Sequence, residues 1–579
     1  MKSLYKTLKR FYGFVLIEKI LYIFFLVITV SSSILSAIVP YFFKLFTDLI
    51  EERNYQTLIH TLILLIAVRV ASLVTHSLAF WIGDNVIFRT VMEARKKIFK
   101  HVQDLDFAFH SEKSTGYLIS AFKRGEGAMW SLYHVIHYRF LDISIGFMVM
   151  IYFFNQINSI ISWVVIFSFF ISLVVTRFLV GINIKMRRLH NEEDDKVSAI
   201  IVDNMVNFET VKLFSKEDFE LRRLKKALVP WLYTAWRYVN TFRVIDISIG
   251  TLINICVFLI LYISIGLSRT GQLGVGDFVL VLGFVSSFYP RLFDLVWGFR
   301  EVGKNYADVE RYFGLLNFKV KVKDPKSPKN LDKVAGEIDY DGVSFTYEGS
   351  KKQALRNVNL KIRQGQSVAL VGRSGSGKTT LVKLLMRFYD LDSGRIRIDG
   401  VDISELSKSN LRSFIGVVPQ EPVLFNNTIG YNICYGKEKV TKKEMVAAAK
   451  IANLHKFIVS LPKKYKTNVG ERGIKLSGGQ KQRLAIARMI LSDPEIIVFD
   501  EATSQLDSEN EKLIQSSLWK AAKNKTTIII AHRLSTAMRA DKIIVMERGE
   551  IVERGSHNEF LMKGDSLYKH FWDLQVNPD

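Results

Sequence analysis

Apolar residues fill the first half of this chain in long runs and the second half in short ones. From Ile20 to Phe43 there is not one charged residue. As a helix, those positions would extend about 36 Å, enough to cross the roughly 30 Å hydrocarbon core of a bilayer. Five more runs follow: Thr57 to Gly83, Ser131 to Phe154, Ser159 to Gly181, Ile245 to Leu267 and Phe278 to Gly298. Charges interrupt the third and sixth, at Arg139, Asp142, Arg291 and Asp294. Lipid offers no partner to a bare peptide group, so each run predicts a helix. No small-residue cleavage site follows the first run, which is therefore expected to stay as a span.

Between spans the polar stretches alternate in length and sign. The loop from Asp84 to Trp130 carries eight Lys or Arg, and that from Ile182 to Val244 carries twelve. Lys44 to Gln56, Asn155 to Asn158 and Ser268 to Asp277 carry three between them. Basic loops stay on the cytoplasmic side, which puts both chain ends there and predicts a multi-pass protein of the plasma (inner) membrane. Each long loop reads as two helical extensions around a break, at Asp104 to Thr115 and at Asn207 to Asp218.

After a helical stretch to about Leu316 comes a Lys-rich segment with Pro325 and Pro328, where no apolar period survives. From Gly336 short strands alternate with helices, the mark of an α/β domain. The predicted organisation is a six-span α-helical domain over 1–316, a linker over 317–335, and an α/β P-loop domain over 336–573.

Composition adds little to that picture. The formal charge of +23 is accounted for by the topology of the basic loops, so no nucleic-acid partner is expected. The two cysteines, Cys256 and Cys434, are far apart and offer neither a disulfide framework nor a metal spacing.

The chemistry lies in the second half. Gly372-Arg373-Ser374-Gly375-Ser376-Gly377-Lys378-Thr379 matches G-x-x-x-x-G-K-[ST] in full. It follows the apolar strand Val368 to Val371 and opens a helix, Thr380 to Phe388, the context a phosphate-binding loop needs. Its glycines let several N–H groups converge on one phosphate, and the helix start adds positive potential. Lys378 is placed to reach the terminal phosphates and Thr379 to ligate Mg²⁺. The apolar run Ile496 to Phe499 ends in Asp500 and Glu501. Asp500 is expected near Mg²⁺, and Glu501 as the general base that polarises water. Ser477-Gly478-Gly479-Gln480 then opens a second helix, Lys481 to Leu491, suited to an anion. One ATP needs one phosphate loop, so this second start calls for a different explanation.

In these motifs and their order the chain resembles the ABC transporter family, specifically its exporter-type half-transporters. The resemblance covers nearly the whole sequence, and it implies the following roles. Tyr347 stacks on adenine. Gln420 joins Mg²⁺ and water and links to the membrane domain. Glu471 belongs to a cross-domain loop. Ser477 to Gln480 meets the γ-phosphate held by the other subunit, and His532 holds that phosphate as a catalytic partner of Glu501. In Ser504-Gln505-Leu506-Asp507 the second position, usually small, is Gln505. The breaks in the long loops resemble coupling helices. The resemblance thus implies ATP-driven alternating access in a dimer, a homodimer being simpler because every catalytic position is intact. Its cargo would be a small amphipathic or hydrophobic compound (a lipid, a drug, or a glutathione or metal-type compound), met in contact with membrane lipid. The wording of Asn207 to Phe214 and Tyr289 to Leu295 leans toward the glutathione and heavy-metal branch. Arg291 and Asp294 share one face of the sixth span. An intrahelical ion pair and a pathway-lining Arg291 that favours anionic cargo are both compatible with that spacing. A soluble ABC machine, a gated channel and an importer are the rival readings.

Overall fold

A computed structural model describes residues 2–113, 115–500, 508–531, 533–563 and 565–576. The chain divides into two compact units. One holds residues 1–104 and 113–319, the other 105–112 and 320–579.

The first unit is helical. Helix α1 (Lys2–Val15) leads into α2 (Lys19–Ala37) and α3 (Val39–Glu51), then α4 (Tyr55–Asp104). The short α5 (Phe107–Glu112) belongs to the other unit, after which the chain returns as α6 (Thr115–His134). A π-helical turn, Val135–Phe140, joins α6 to α7 (Leu141–Ile157). The unit continues through α8 (Ser159–Val206), α9 (Phe208–Leu213), α10 (Glu217–Arg269) and α11 (Val275–Gly314). Six helical stretches are long and apolar enough to cross a membrane among the described residues, one for each expected run. The first run bends at Ile38, where Pro40 in the first turn of α3 cannot continue the hydrogen-bond ladder of α2.

Long helices carry the chain well past a bilayer. The 53 residues of α10 span about 80 Å, more than twice the hydrocarbon thickness. Helices α8 and α10 run antiparallel, as their side-chain bonds show. Asn183 donates to Thr241 at 2.6 Å, and the Trp231 indole donates to Asp194 at 2.8 Å. Further along, Asn204 meets Glu220 at 2.9 Å. The core is built where α7, α8, α10 and α11 meet, around Met150, Phe154, Val165, Ile249, Ile260 and Phe284.

The breaks in the two long loops are short helices, α5 and α9. Within the second unit, Phe107 of α5 stacks on Phe388 with ring centres 4.7 Å apart. Asp106 accepts the backbone N–H of Val322 at 3.1 Å. The segment expected as a linker has no regular element, yet it is tied down. Lys329 bonds Glu405 through its backbone, and Leu331 bonds the Asn410 side chain.

The second unit has two sheets. Strands β1 (Ile338–Phe345), β2 (Leu355–Ile362), β4 (Ser393–Ile398) and β5 (Val401–Asp402) form an antiparallel sheet in the order β2-β1-β4-β5. Strands β3 (Ser367–Val371), β6 (Ile415–Val418), β7 (Ile496–Asp500), β8 (Thr526–Ile530), β9 (Lys542–Glu547) and β10 (Glu550–Gly555) form the other, ordered β10-β9-β3-β8-β7-β6. All neighbours there are parallel except β10. Every residue of β3 and β8 is buried, as expected of strands covered on both faces. Parallel order puts the carboxyl ends of β3, β6, β7 and β8 on one edge, where ligands of such sheets bind.

Candidate ATP-binding site

The phosphate loop leaves β3 at Gly372, whose φ is +150°. A Cβ there would lie 2.2 Å from the Met546 carbonyl oxygen, so only glycine fits. At Gly377, φ is +107°, and a Cβ would press on Leu355 at 2.7 Å. The curled loop turns carbonyls inward onto Lys378. Its ammonium donates to Gly372 O at 2.7 Å and Arg373 O at 3.1 Å, and the residue is 4% exposed. The helix starts at Lys378 itself, two residues before the sequence suggested. Arg373, Ser374, Gly375 and Thr379 face solvent around this cation, while Ser376 is buried. The Ser376 hydroxyl finds no partner among the described residues. A donor-rich ring with a buried ammonium at its centre fits the phosphates of ATP.

Asp500 ends β7, separated from β3 by β8. Burial pushes its carboxyl above the usual range, and the ammonium groups of Lys378 and Lys383 pull it partly back. The strand order puts this carboxyl and the phosphate loop on the same carboxyl edge of the sheet, one strand apart. With the hydroxyl of Thr379 and the side-chain oxygen of Gln420, the Asp500 carboxyl makes an all-oxygen donor set, the kind Mg²⁺ takes. Thr379 and Gln420 are both exposed. The residues present therefore fit the ion.

Gln420 follows β6 and Pro419. The buried Gln482 amide donates to both of their carbonyls, at 3.2 Å and 2.5 Å. Sequence reasoning missed Gln482. Its only signal was its place two residues after Gln480 on the same helix.

Tyr347 packs edge-on against Phe345 and Tyr389, with centroids 4.9 and 5.3 Å away. Its hydroxyl shares a 3.1 Å hydrogen bond with Thr380, which fixes the ring next to the phosphate-loop helix. Lys383 lies 6.0 Å from the ring centre and 5.6 Å from that of Phe107. Neither Lys383 nor Tyr389 stood out in the sequence, because their role comes only from folding around Tyr347.

The second anion-suited helix is Gly478–Ser492, beginning three residues before Lys481. Ser477 and Gln480 cap it reciprocally, each side chain accepting the other's backbone N–H. Ser477 and Gly478 are exposed. No described hydrogen bond joins Ser477 to Gln480 with the phosphate loop of the same chain. Glu471, itself exposed, opens the turn Glu471–Gly473 just upstream. Glu501, Ser504 to Asp507 and His532 lie outside the described residues. The strands that precede Glu501 and His532 are neighbours, with Asp500 paired to Ile530.

In the helical unit, the intrahelical pairing of Arg291 with Asp294, one of the two arrangements compatible with their spacing, does not form. Arg291 instead donates to Asp142 across to the third span, at 2.9 Å. Span-to-span packing brings an opposite charge closer than the same helix face does, and Asp294 stays exposed. Both Arg291 and Asp142 line two hollows, of about 530 and 690 Å³. The smaller also holds Arg139, which reaches Glu301 at 3.6 Å.

Known proteins share both halves of this architecture. Residues 21–290 match the ABC transporter transmembrane region, and residues 355–504 the ABC transporter domain. A solved chain described as a bacterial Atm1-family ABC exporter with ATP bound superposes with a TM-score of 0.85. It is 31% identical and covers 96% of this chain and 98% of its own. This chain belongs to the ABC transporter family. The chain is also 39% identical to ATP-binding cassette sub-family B member 6 of Mesocricetus auratus, over 83% of its own length and 57% of that protein's. Heavy metal tolerance factor 1 of Caenorhabditis elegans is 37% identical, over 84% and 61%. The chain thus spans little more than half the length of the first of these curated relatives. Its six spans make it an integral, multi-pass membrane protein.

Proposed function

We propose that this ABC transporter is one half of a homodimeric exporter that hydrolyses ATP and moves an amphipathic, anionic compound across the membrane. The observation that carries the reading is the exposed, self-capped start of helix Gly478–Ser492 in a chain that already has a phosphate cradle. A second chain, turned head to tail, gives that helix start an ATP to meet. The helix start then approaches the γ-phosphate held by Lys378 and the loop N–H groups, and its N–H groups add to the positive field there.

Within each site Tyr347 holds the base. Glu501 takes the proton of the attacking water as general base, and His532 holds the γ-phosphate. Thr379, Gln420 and Asp500 would hold Mg²⁺, which would supply neutralisation of phosphate charge when bound. Gln482 keeps the Gln420 loop against the second chain-contacting helix through its two bonds. Closure is passed on through α5, seated on Phe388, and through α9. The latter exposes Phe208 and Leu213 at 58 and 81%, and Phe214 just beyond it at 69%, an apolar face for the partner's ATP domain. ATP drives this change only because the closed dimer binds it better than the open one.

Arg291 and Asp142 support the cargo class. Charges inside a membrane domain are expensive and face protein or water-filled cavities. Among lipids, drugs and glutathione or metal-type compounds, the last is favoured by the heavy-metal name of a relative and by the cationic Arg291. The ATP domain lies on the side of the basic loops, the cytoplasmic face. ATP-dependent uptake of a cargo panel into inside-out vesicles tests the proposal, with Lys378→Ala as control. Uptake equal in the control, or absent for every cargo while ATP is hydrolysed, refutes export.

A further inference from the structure

A hollow of about 750 Å³ lies in the second unit, between one face of helix Ser508–Ala522 and the amino ends of β3 and β9. It is remote from the phosphate loop. Gly365 and Ser367 line it at the start of β3, while the loop follows the far end. Five extended residues separate those ends by about 13 Å. Lys512, Lys520, Lys523 and Arg539 all face the hollow and are exposed. None pairs with a carboxylate among the described residues. The one acid in the lining, Asp541, is already engaged by the N–H and hydroxyl of Ser367, at 2.8 and 2.7 Å.

Two of the four cations have a local role. Lys520 and Lys523 sit at the end of their helix, where they offset its carbonyl dipoles. Lys512 lies more than two turns earlier, and Arg539 comes from a different segment, so neither is explained that way. Trp519 also lines the hollow. Its indole N–H is buried and has no acceptor among the described residues. Ser516 brings a hydroxyl to the same face. The lining therefore carries four cations against a single carboxylate.

We propose that this hollow is a second anion site, which binds a soluble, multivalent phosphate compound independently of the ATP site. A single carboxylate would leave most of the charge unmatched, whereas a chain of phosphates meets three or four cations together. Such binding weakens as salt rises.

Calorimetry on the full chain in nanodiscs tests the site, with tripolyphosphate as probe and a saturating non-hydrolysable ATP analogue filling the phosphate loops. One further site per chain is expected. Lys512→Gln combined with Arg539→Gln should weaken tripolyphosphate at least tenfold and leave the affinity for the ATP analogue within twofold, which also reports that the variant is folded. Lys512→Arg should retain binding. Trp519→Phe should remove the emission change that tripolyphosphate causes in the parent protein. Absence of binding beside the ATP analogue overturns the site, as does equal binding by the double Gln variant. Nanodiscs containing an anionic phosphomonoester lipid separate the sources. Loss of tripolyphosphate binding there would place the phosphate on a lipid headgroup and overturn the soluble ligand.

Discussion

Asp142→Asn is the most informative single change in the membrane half. It keeps the shape of the side chain and removes the charge that faces Arg291 at 2.9 Å. Two unit charges about 4 Å apart attract by about 4 kcal/mol at an effective dielectric of 20. Fully exposed pairs give up to about 1 kcal/mol, and breaking a buried one costs about 3–5 kcal/mol. The side chains here are 29 and 34% exposed, so about 2 kcal/mol is expected. Thermal unfolding of the purified transporter should show a loss of a few °C. A double-mutant cycle with Arg291→Gln should return a coupling of about 1–3 kcal/mol. The functional effect has the opposite sign, because Arg291 then has no carboxylate to satisfy before it meets cargo. In ligand-stimulated ATPase assays, half-stimulation by an anionic ligand should move about tenfold lower, equivalent to about 1.4 kcal/mol. A neutral ligand of the same shape should not move. Coupling near zero would refute the pairing, and equal shifts for both ligands would refute Arg291 as a cargo contact.

Four further outcomes are expected. Glu501→Gln should bind ATP normally but turn over ~10²–10⁴-fold more slowly, whereas Lys378→Ala should lose binding; normal turnover by the Gln variant excludes Glu501 as the base. Gln482→Ala removes two bonds to the Gln420 loop, so kcat should fall about tenfold or more with nucleotide affinity kept, and an unchanged kcat would show that the loop holds itself. Asp500 has a carboxyl pKa raised by burial. Its contribution to folding is present at low pH and is lost as pH climbs through the raised value. Asp500→Asn should therefore be more stable than the parent at neutral pH but not at low pH, with Tm up by about 2–4 °C for each kcal/mol relieved, and should lose hydrolysis. Finally, Ser374→Cys and Ser477→Cys, with Cys256 and Cys434 replaced, should cross-link between chains, and more so with ATP; cross-links only within a chain would defeat the shared site.

The sequence alone determined the elements whose signals are local. A run of more than twenty uncharged residues such as Ile20 to Phe43 cannot sit anywhere but a membrane or a core, and the other five runs stay apolar enough over a span's length despite isolated charges such as Arg139 and Arg291, so six spans were legible from the runs themselves. The phosphate loop was equally so, because Gly372 and Gly377 occupy backbone positions that other residues cannot take, and Lys378 must follow at a fixed step. Two helix starts shifted by two or three residues: at Gly478 because reciprocal capping by Ser477 and Gln480 extends the helix beyond its apolar period, and at Lys378 because the curled loop passes straight into the helix after Gly377, with no side-chain cap. Other features were settled only by tertiary structure, since they join residues far apart in the chain. Arg291 had Asp294 one turn away, yet it found Asp142, 149 positions distant; the choice depends on how two helices pack, which no spacing encodes. The same holds for Gln482 beneath Gln420, for Lys383 and Tyr389 around Tyr347, and for Phe107 on Phe388. A periodic pattern shows which face of a helix is buried, but the identity of its neighbour is a property of the folded whole.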